Sequence, residues 1–598
     1  MGIQKLTQIF FGSYVIYSRT CHLVITILLL PYYPALTFRA PPVVPDLPFV
    51  MGWNAPTEVC AKKFKVTLDL SLFSFVGSPQ KRARNQNITI FYSDRLGYYP
   101  YINEKTGEAF NEGIPQLASL KKHLAKAKKD IDYYIPSDDK FGLVIIDWEN
   151  WRPNWIRNWN TKHIYQTQSI ELIHQLNIKL NDIEAWKAAK TDFEKAAKIF
   201  MQETLRLGKS LRPNHLWGYY LFPDCYNHDY KNPNYTGRCF EIEKGRNNDL
   251  YWLWKESTAL FPSIYISKKL KYSQKTQFFV RNRIQEAIRI SQVVHFKNPL
   301  PIFVYARPVF IDASYQYLSE GDLVNTIGES VALGVSGIIM WGSLNFTQSQ
   351  KTCTALDNYM RTTLNPYIVN VTMAAKICSQ VLCQGQGACV RKHWKSSDYL
   401  HLNPKRFTIR TQQDGRYVVY GKPNLQDLQE FSEKFECTCY AGSKCKIKVN
   451  IKSVRDIKAC ISEGNCIETY LNSKPDDHTS RLLNWKHQVI FDPRNPFSFY
   501  SPDIEDQPIS SIEYDGYAID RGYSSNNGNN NSETTVISCN STMNCSAEGT
   551  YADSENGMAN ASFQHIPEPY CKRGDVAFRL PTTAKDIYDL RQWRAPVL

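Results

Sequence analysis

The chain has 598 residues and a mass of 69.0 kDa, with 43% hydrophobic, 13% aromatic and 21% charged residues. That is enough apolar content for a large core and the wrong distribution for a multispan membrane protein or a fibre. Lys and Arg number 71 against 57 Asp and Glu, a net +14, and residues 501–598 hold 14 acidic and 7 basic residues, so the first 500 carry +21. A body that basic suits a polyanionic partner: nucleic acid, an acidic polysaccharide or a membrane surface.

At the N-terminus, Lys5 and Arg19 precede the apolar run Leu23 to Leu30, followed by Pro31 and the small residue Ala35. The run is too short to span a bilayer, and its flanks predict a secretory signal over residues 1–37. An uncleaved signal anchor is the competing reading. Sixteen cysteines fit an oxidising compartment. Cys21 leaves with the leader, so the fifteen that remain include one thiol unpaired or shared between chains. Eight N-x-S/T sequons, at Asn87, Asn234, Asn345, Asn370, Asn530, Asn540, Asn544 and Asn560, fit a glycosylated product.

Residues 38–375 predict one α/β domain. Short apolar runs read as buried strands at Ile88 to Tyr92, Gly142 to Asp147, His215 to Phe222, Ile302 to Tyr305 and Gly337 to Trp341. Between the second and third lies a helix: Trp186, Phe193, Phe200 and Leu207 recur every seven residues, Ala189 and Ala196 fill the i+3 places, and Gly208 is the expected stop. Strand and helix in alternation predict a parallel barrel or a doubly wound sheet.

Residues 376–470 change texture. Cys378, Cys383 and Cys389, then an insertion of about 45 residues, then Cys437, Cys439 and Cys445 read as an EGF-like module with little apolar content between its cysteines. No histidine stands at ligand spacing, so no metal is expected. Cys460 and Cys466 close a small loop. Residues 471–598 form a linker and an acidic tail rich in Asn and Ser, expected to be disordered because it cannot bury enough apolar area. Cys539, Cys545 and Cys571 lie in that tail, and no apolar C-terminal stretch suggests a GPI signal.

The sharpest chemical feature is Leu143-Val144-Ile145-Ile146-Asp147-Trp148-Glu149. Asp147 and Glu149 stand two apart, so both leave the strand on the same side, and at the C-terminal end of a barrel strand that side is the mouth. Two adjacent carboxylates repel, which keeps one protonated as a general acid, the group that glycosidic bond cleavage requires. The blander alternative is a strand end whose carboxylates cap loops. Tyr92, Tyr98, Tyr99, Tyr101, Tyr219, Tyr220, Tyr226, Trp252, Trp254, Tyr265 and Trp341 gather near other predicted strand ends, and aromatic faces of that kind stack on sugar rings. No G-x-S-x-G or H-E-x-x-H occurs, and Gly208-Lys209-Ser210 lacks the upstream glycine of a phosphate loop, so serine hydrolase, zinc protease and nucleotide chemistry are poorly supported.

Asp147-Trp148-Glu149-Asn150-Trp151-Arg152-Pro153, Leu216-Trp217-Gly218-Tyr219-Tyr220-Leu221-Phe222-Pro223-Asp224-Cys225-Tyr226-Asn227, Ala259-Leu260-Phe261-Pro262-Ser263-Ile264-Tyr265 and Leu364-Asn365-Pro366-Tyr367-Ile368-Val369-Asn370-Val371-Thr372 resemble the animal hyaluronidases. The resemblance runs from about Phe38 to Cys466 and is strongest to the sperm-surface type of mammals. It implies a distorted (β/α) barrel followed by an EGF-like module, and hydrolysis of β-1,4 bonds in hyaluronan, with chondroitin cut more slowly and no cofactor. It makes Glu149 the proton donor, with the substrate acetamide as nucleophile, oriented by Asp147 and Tyr220 beside Tyr265. Tyr92, Tyr101, Asp224, Arg283, Trp341 and Asn370 match residues lining the groove, Arg283 as a cation for glucuronates. Asn370 is also a sequon.

The same match implies disulfides Cys60–Cys353, Cys225–Cys239, Cys378–Cys389, Cys383–Cys437, Cys439–Cys445 and Cys460–Cys466. Asn150 departs from the acidic or small residue often found there. The implied setting is secreted, acrosomal or on the sperm surface, with the egg coat as a further partner. The alternative function is an adhesion protein that binds glycan with weak or no catalysis, and a chitinase-like enzyme is a third reading.

Overall fold

Gly142–Asp147 is apolar from its second residue to its fifth and buried on both faces, which only a central strand tolerates. In the computed structural model, which describes residues 38–470 except 295, 413–414, 446–450, 452–453, 455 and 463–464, this strand is β4. Beyond 470 only the backbone of two hairpins is described, Ser538–Cys539 with Cys545–Ser546 and Tyr570–Arg573 with Val576–Arg579. The expected signal at 1–37 and most of the expected tail lie outside the described residues.

Strands β1 (Val50–Asn54), β2 (Phe75–Gly77), β3 (Ile88–Tyr92), β5 (His215–Tyr219), β6 (Phe303–Ala306) and β7 (Gly337–Trp341) join β4 in two all-parallel sheets, ordered β2-β1-β7-β6 and β3-β4-β5. Residues 259–263 stand between β5 and β6 and join the sheets through parallel bridges Tyr220↔Phe261, Leu260↔Ile302 and Ser263↔Tyr305. Pro262 has no N–H to give, which is why this stretch bridges its neighbours without forming a ladder. The third expected strand therefore stops at Tyr219, and the fourth starts one residue late, at Phe303.

Side chains alternate between two cores, as a period of two requires. Val50, Phe75, Ile88, Ile90, Leu143, Ile145, Ala259, Phe261, Phe303, Tyr305 and Ile339 point one way and meet in a single cluster drawn from all the strands except β5, whose part-buried Leu216 packs against it. Val144, Ile146, Trp217, Val304 and Ile338 point the other way, toward the helices. Helix α1 (Leu120–Tyr134) returns the chain from β3 to β4, and α2 (Asp182–Leu211) returns it from β4 to β5. Asn181 and Glu184 form a capping box that starts α2.

Gly208 does not stop α2, which runs on to Leu211. It lies under the Trp217 ring, where a Cβ would come within 2.6 Å of ring carbon. The glycine is there for close packing of helix on strand.

The cysteine-rich region is not an apolar-poor appendage. Its insertion contains the hairpin of β9 (Thr408–Thr411) and β10 (Tyr417–Tyr420), and the helix Leu425–Lys434. Leu400, Leu402, Phe407, Tyr417, Val419, Leu428 and Phe431 are buried in the same cluster as the helices of the first domain. Strand β8 (Gly387–Arg391) pairs antiparallel with β11 (Phe435–Cys439). Among the described residues six disulfides join Cys60 to Cys353, Cys225 to Cys239, Cys378 to Cys389, Cys383 to Cys437, Cys439 to Cys445 and Cys460 to Cys466. Cys437, Cys439 and Cys445 lie close together, each already in a disulfide and so unable to act as a thiolate ligand. No helix among the described residues is long and apolar enough to cross a membrane.

Candidate active site

In β3, β4 and β7 every residue is buried except the last: Tyr92, Asp147 and Trp341. Each continues the inward-facing parity of its strand, so these residues, with Tyr220 and Tyr265, cover the strand-enclosed core at the C-terminal ends. Tyr92 and Asp147 are direct neighbours in register, and Asn54 stands beside Trp341.

Past Asp147 the alternation persists. Ile146, Trp148 and Asn150 are buried, whereas Asp147 and Glu149 keep partial exposure. Trp148 anchors this arrangement: its ring stacks on Tyr99 at 4.5 Å and lies 5.7 Å from Tyr219 and 5.5 Å from His123. Such pairs add about 0.5–1.5 kcal/mol each beyond area burial. Tyr99 in turn stacks on Tyr101 at 6.1 Å, which connects that predicted residue to the same aromatic group.

The Glu149 side chain is 29% exposed, with Arg152 Nη2 3.4 Å from its Oε1. Arg152 also donates through Nη1 to the Glu149 carbonyl at 2.8 Å, so it is tied to the backbone of the residue it flanks.

Tyr220 N–H donates to Ile146 O at 3.0 Å, placing Tyr220 one step beyond the end of β5. Its hydroxyl donates to Ser263 Oγ at 3.2 Å, and its ring meets Tyr305 edge-on at 5.3 Å and Tyr265 at 6.0 Å. Burial first, then the Glu149 carboxylate and, more weakly, that of Asp147, raise the Tyr220 pKa far above the usual phenol. The hydroxyl thus stays protonated beside the two acids and keeps its hydrogen to donate. Burial, with Tyr220 next to it, likewise raises Tyr265. Tyr265 stacks on Trp341 at 6.2 Å, Trp341 Nε1 donates to Tyr92 OH at 3.2 Å, and the Arg307 guanidinium lies over both Trp341 and Tyr265, at 5.0 and 5.6 Å. Tyr305, Ser263, Arg152 and Arg307 were not singled out from sequence. Tyr305 ends an apolar run just as Tyr92 does, which is a signal that could have found it.

Arg283 does not present its charge to a groove. It is 4% exposed, and its guanidinium meets Asp224 Oδ1 at 3.1 Å, Asn227 Oδ1 at 3.0 Å, the Ser263 carbonyl at 3.0 Å and His228 Nε2 at 2.9 Å. Burial opposes ionisation of Asp224, but Arg283 and Arg157 outweigh it and hold that carboxyl below its usual range. Burial, then Arg283, pushes His228 down to about 3, leaving Nε2 as an acceptor. Arg283 therefore braces Ser263, the partner of Tyr220, from beneath.

Asn370 lies elsewhere, on α4 (Asn365–Cys383), where its Oδ1 accepts from Leu402 N at 2.8 Å in the cysteine-rich region. The structure brings together Asp147, Glu149, Tyr220, Tyr265, Tyr92 and Trp341, places Asp224 and Arg283 one layer below, and leaves Asn370 on another face.

Comparison with known proteins matches residues 38–449 to the hyaluronidase family. The chain belongs to the hyaluronidase family. Human hyaluronidase PH-20 is 56% identical over 471 residues, 79% of this chain and 92% of that one; mouse hyaluronidase-5 is 55% identical, covering 79% and 90%. Human hyaluronidase-4 is 47% identical over 67% of this chain and 83% of its own length. The crystal structure of bee venom hyaluronidase in complex with a hyaluronic acid tetramer matches at 29% identity and a TM-score of 0.48, over 54% of this chain and 98% of that one. This hyaluronidase is a glycoside hydrolase, and hyaluronan is its substrate.

Proposed function

We propose that this hyaluronidase cleaves β-1,4 bonds next to N-acetylglucosamine by substrate assistance, with Glu149 as the proton donor. Glu149 gives its proton to the leaving glycosidic oxygen while the substrate's acetamido carbonyl oxygen attacks C1, forming a cyclic oxazolinium. Asp147 accepts from the acetamide N–H and, as a carboxylate, stabilises the positive charge that develops on the ring nitrogen. The Tyr220 hydroxyl directs the acetamide onto C1. Water then attacks C1, Glu149 recovers its proton from that water, and the anomeric configuration is retained. The observation that carries this reading is Tyr220, a half-buried phenol whose pKa is raised by desolvation and then by both carboxylates, and whose hydroxyl is held by Ser263.

Tyr92, Tyr101 and Trp341 would stack on sugars along the groove, with Asp224 acting through Arg283. Chondroitin is the slower substrate. In architecture, we read the two sheets and residues 259–263 as a distorted (β/α) barrel over 38–375, with an EGF-like module over 376–470. A leader over 1–37 and a sperm-surface or acrosomal setting against the egg coat complete the proposal. An adhesion protein with idle catalysis would be free to lose any of Asp147, Glu149, Tyr220 and Tyr265, and all four are present.

The test is viscosity loss and new reducing ends on hyaluronan, with chondroitin and chitin oligomers alongside, for wild type and Glu149→Gln. Removing the general acid lowers kcat by about 10²–10⁴ with unchanged thermal unfolding. Full activity in Glu149→Gln sinks the proposal.

A further inference from the structure

The outer face of α1 carries charge that neither the core nor the active site uses. Lys121 and Lys128, and beside them Lys122 and Lys129, stand seven residues apart, so each pair shares a helix face about 10 Å apart along the axis. All four are exposed. Among the described residues no carboxylate pairs with any of them, whereas Lys126 on the same helix is paired with Asp130. Four residues past Lys129 on that face is Tyr133, and the loop before β3 docks on it. Arg84 lies 4.1 Å above the Tyr133 ring and donates through Nε to its carbonyl at 2.8 Å, Asn85 N–H donates to Tyr134 O at 2.8 Å, and Tyr134 OH donates to Lys81 O at 3.1 Å.

That docking brings exposed Arg82 and Arg84 to the C-terminal end of α1, extending the lysine rows. Nearby exposed acids are partly neutralised at home: Asp94 pairs with Lys81 at 2.7 Å and Asp132 with Arg212 at 2.9 Å, while Asp138 and Asp139 enter no ion pair among the described residues. Because α1 returns the chain between two parallel strands, it runs from the catalytic end of the sheets to the opposite end.

We infer that this track is a second binding surface for an acidic polysaccharide, outside the active site. A linear polyanion fits because the cations form rows along one axis. A lipid surface fits less well, since α1 exposes no large aliphatic side chain and its exposed Tyr133 ring has Arg84 stacked on it. The track would hold a distant stretch of a long chain while another stretch occupies the mouth. Where the polymer is hyaluronan, the inference rests on the function proposed above.

The experiment uses the full chain carrying Arg82→Ala, Lys128→Ala and Lys129→Ala together, and a charge-matched control with Lys187→Ala, Lys195→Ala and Lys198→Ala on α2. Binding is measured on immobilised long hyaluronan and on heparin, in a Glu149→Gln background, across ionic strength. Cleavage of short oligosaccharides is measured in active protein. The track variant loses about tenfold in affinity for at least one polymer, with a shallower salt dependence, while short-substrate kcat/KM stays unchanged. Loss on heparin alone assigns the track to sulfated chains, and loss on hyaluronan assigns it to the substrate. Equal losses in track and control variants, or no loss in either, overturn the inference. Glu149→Gln that still cleaves would defeat the catalytic reading and leave this one standing.

Discussion

Two places in the molecule set acids and arginines against aromatic rings, and they resolve the charge in opposite ways. Where the first domain meets the cysteine-rich region, Glu329 has no exposure and is gripped by two arginines. Arg281 on α3 (Gln274–Ser291) reaches it at 2.7 and 3.2 Å, and Arg391 on β8 reaches it at 2.8 and 3.1 Å. The remaining guanidinium nitrogens bond to backbone: Arg281 Nη1 to Lys395 O and Arg391 Nε to Asp398 O at 2.7 Å, and Arg281 Nη2 also reaches Ser396 O at 2.7 Å. At the mouth, Glu149 keeps 29% exposure and a single arginine at 3.4 Å. A fully satisfied cluster has nothing left to give a ligand. At the mouth Glu149 stays part-exposed beside phenols that burial keeps protonated, and that accessible acid is what a substrate meets.

The comparison breaks most sharply at Glu329. Glu329→Ala leaves two buried guanidinium groups without a counter-charge and is expected to lower unfolding free energy by about 3–5 kcal/mol, read as a shift in the urea midpoint. Because the triad connects α3 to β8, the first domain and the cysteine-rich region should lose stability in one transition. Two well-separated transitions would show that the junction does not unite them. At the mouth the opposite pattern is expected. Tyr220→Phe removes a donor from the reacting group while the ring keeps its packing, so kcat on hyaluronan falls by about 10²-fold with KM and thermal unfolding nearly unchanged. Asp224→Asn falls between these limits. It weakens the hold on Arg283 and hence on Ser263, and is expected to lower kcat about tenfold, with Ser263→Ala reproducing the loss if the route runs through that hydroxyl.

The elements that position the site were readable because each strand ends in a residue of different chemistry from its interior. Gly142 to Asp147 and Gly337 to Trp341 have the bounds that their apolar runs predict. Val50–Asn54 escaped notice because Gly52 stands at its centre and Asn54 at its end, residues that read as turn signals. Residues 259–263 could not be read as a bridge, since Pro262 argues against a strand and only the neighbours on either side supply the hydrogen bonds. Arg283 was misplaced for a related reason. The family resemblance alone put it in the groove, and its partners Asp224, Asn227 and Ser263 lie 20 to 59 residues away in the chain, where sequence does not join them. Cysteine spacing pointed to the Cys460–Cys466 loop and left the other pairings open, and those pairs were implied only by family likeness.

The smallest effect expected is also the one that tests the closed region by titration. His401 accepts or donates to Tyr367 OH at 3.0 Å and stacks 5.6 Å from Tyr399, and burial holds its pKa down to about 4 against an ordinary 6.5. Because the folded pKa is depressed, the unfolded chain binds a proton between pH 6.5 and 4 that the folded chain refuses. Stability is therefore full above about 6.5 and falls as pH drops, by at most about 1.4 kcal/mol per pH unit for each such histidine. His123 and His215 are also pushed down to about 4, chiefly by burial, so the wild-type slope is the sum of several histidines. Carboxylates such as Glu256, held down to about 2 by Lys209 and Arg206 against the opposing effect of burial, add their own loss only below about 4.5. Urea midpoints between pH 6.5 and 4.5 thus report the histidines against an opposing contribution from Glu194 and Glu320, whose carboxyls burial raises, so the comparison is made between wild type and variant. His401→Gln, which keeps a partner for Tyr367, should flatten that slope by one histidine's share; an unchanged slope would mean that His401 is protonated in the folded junction.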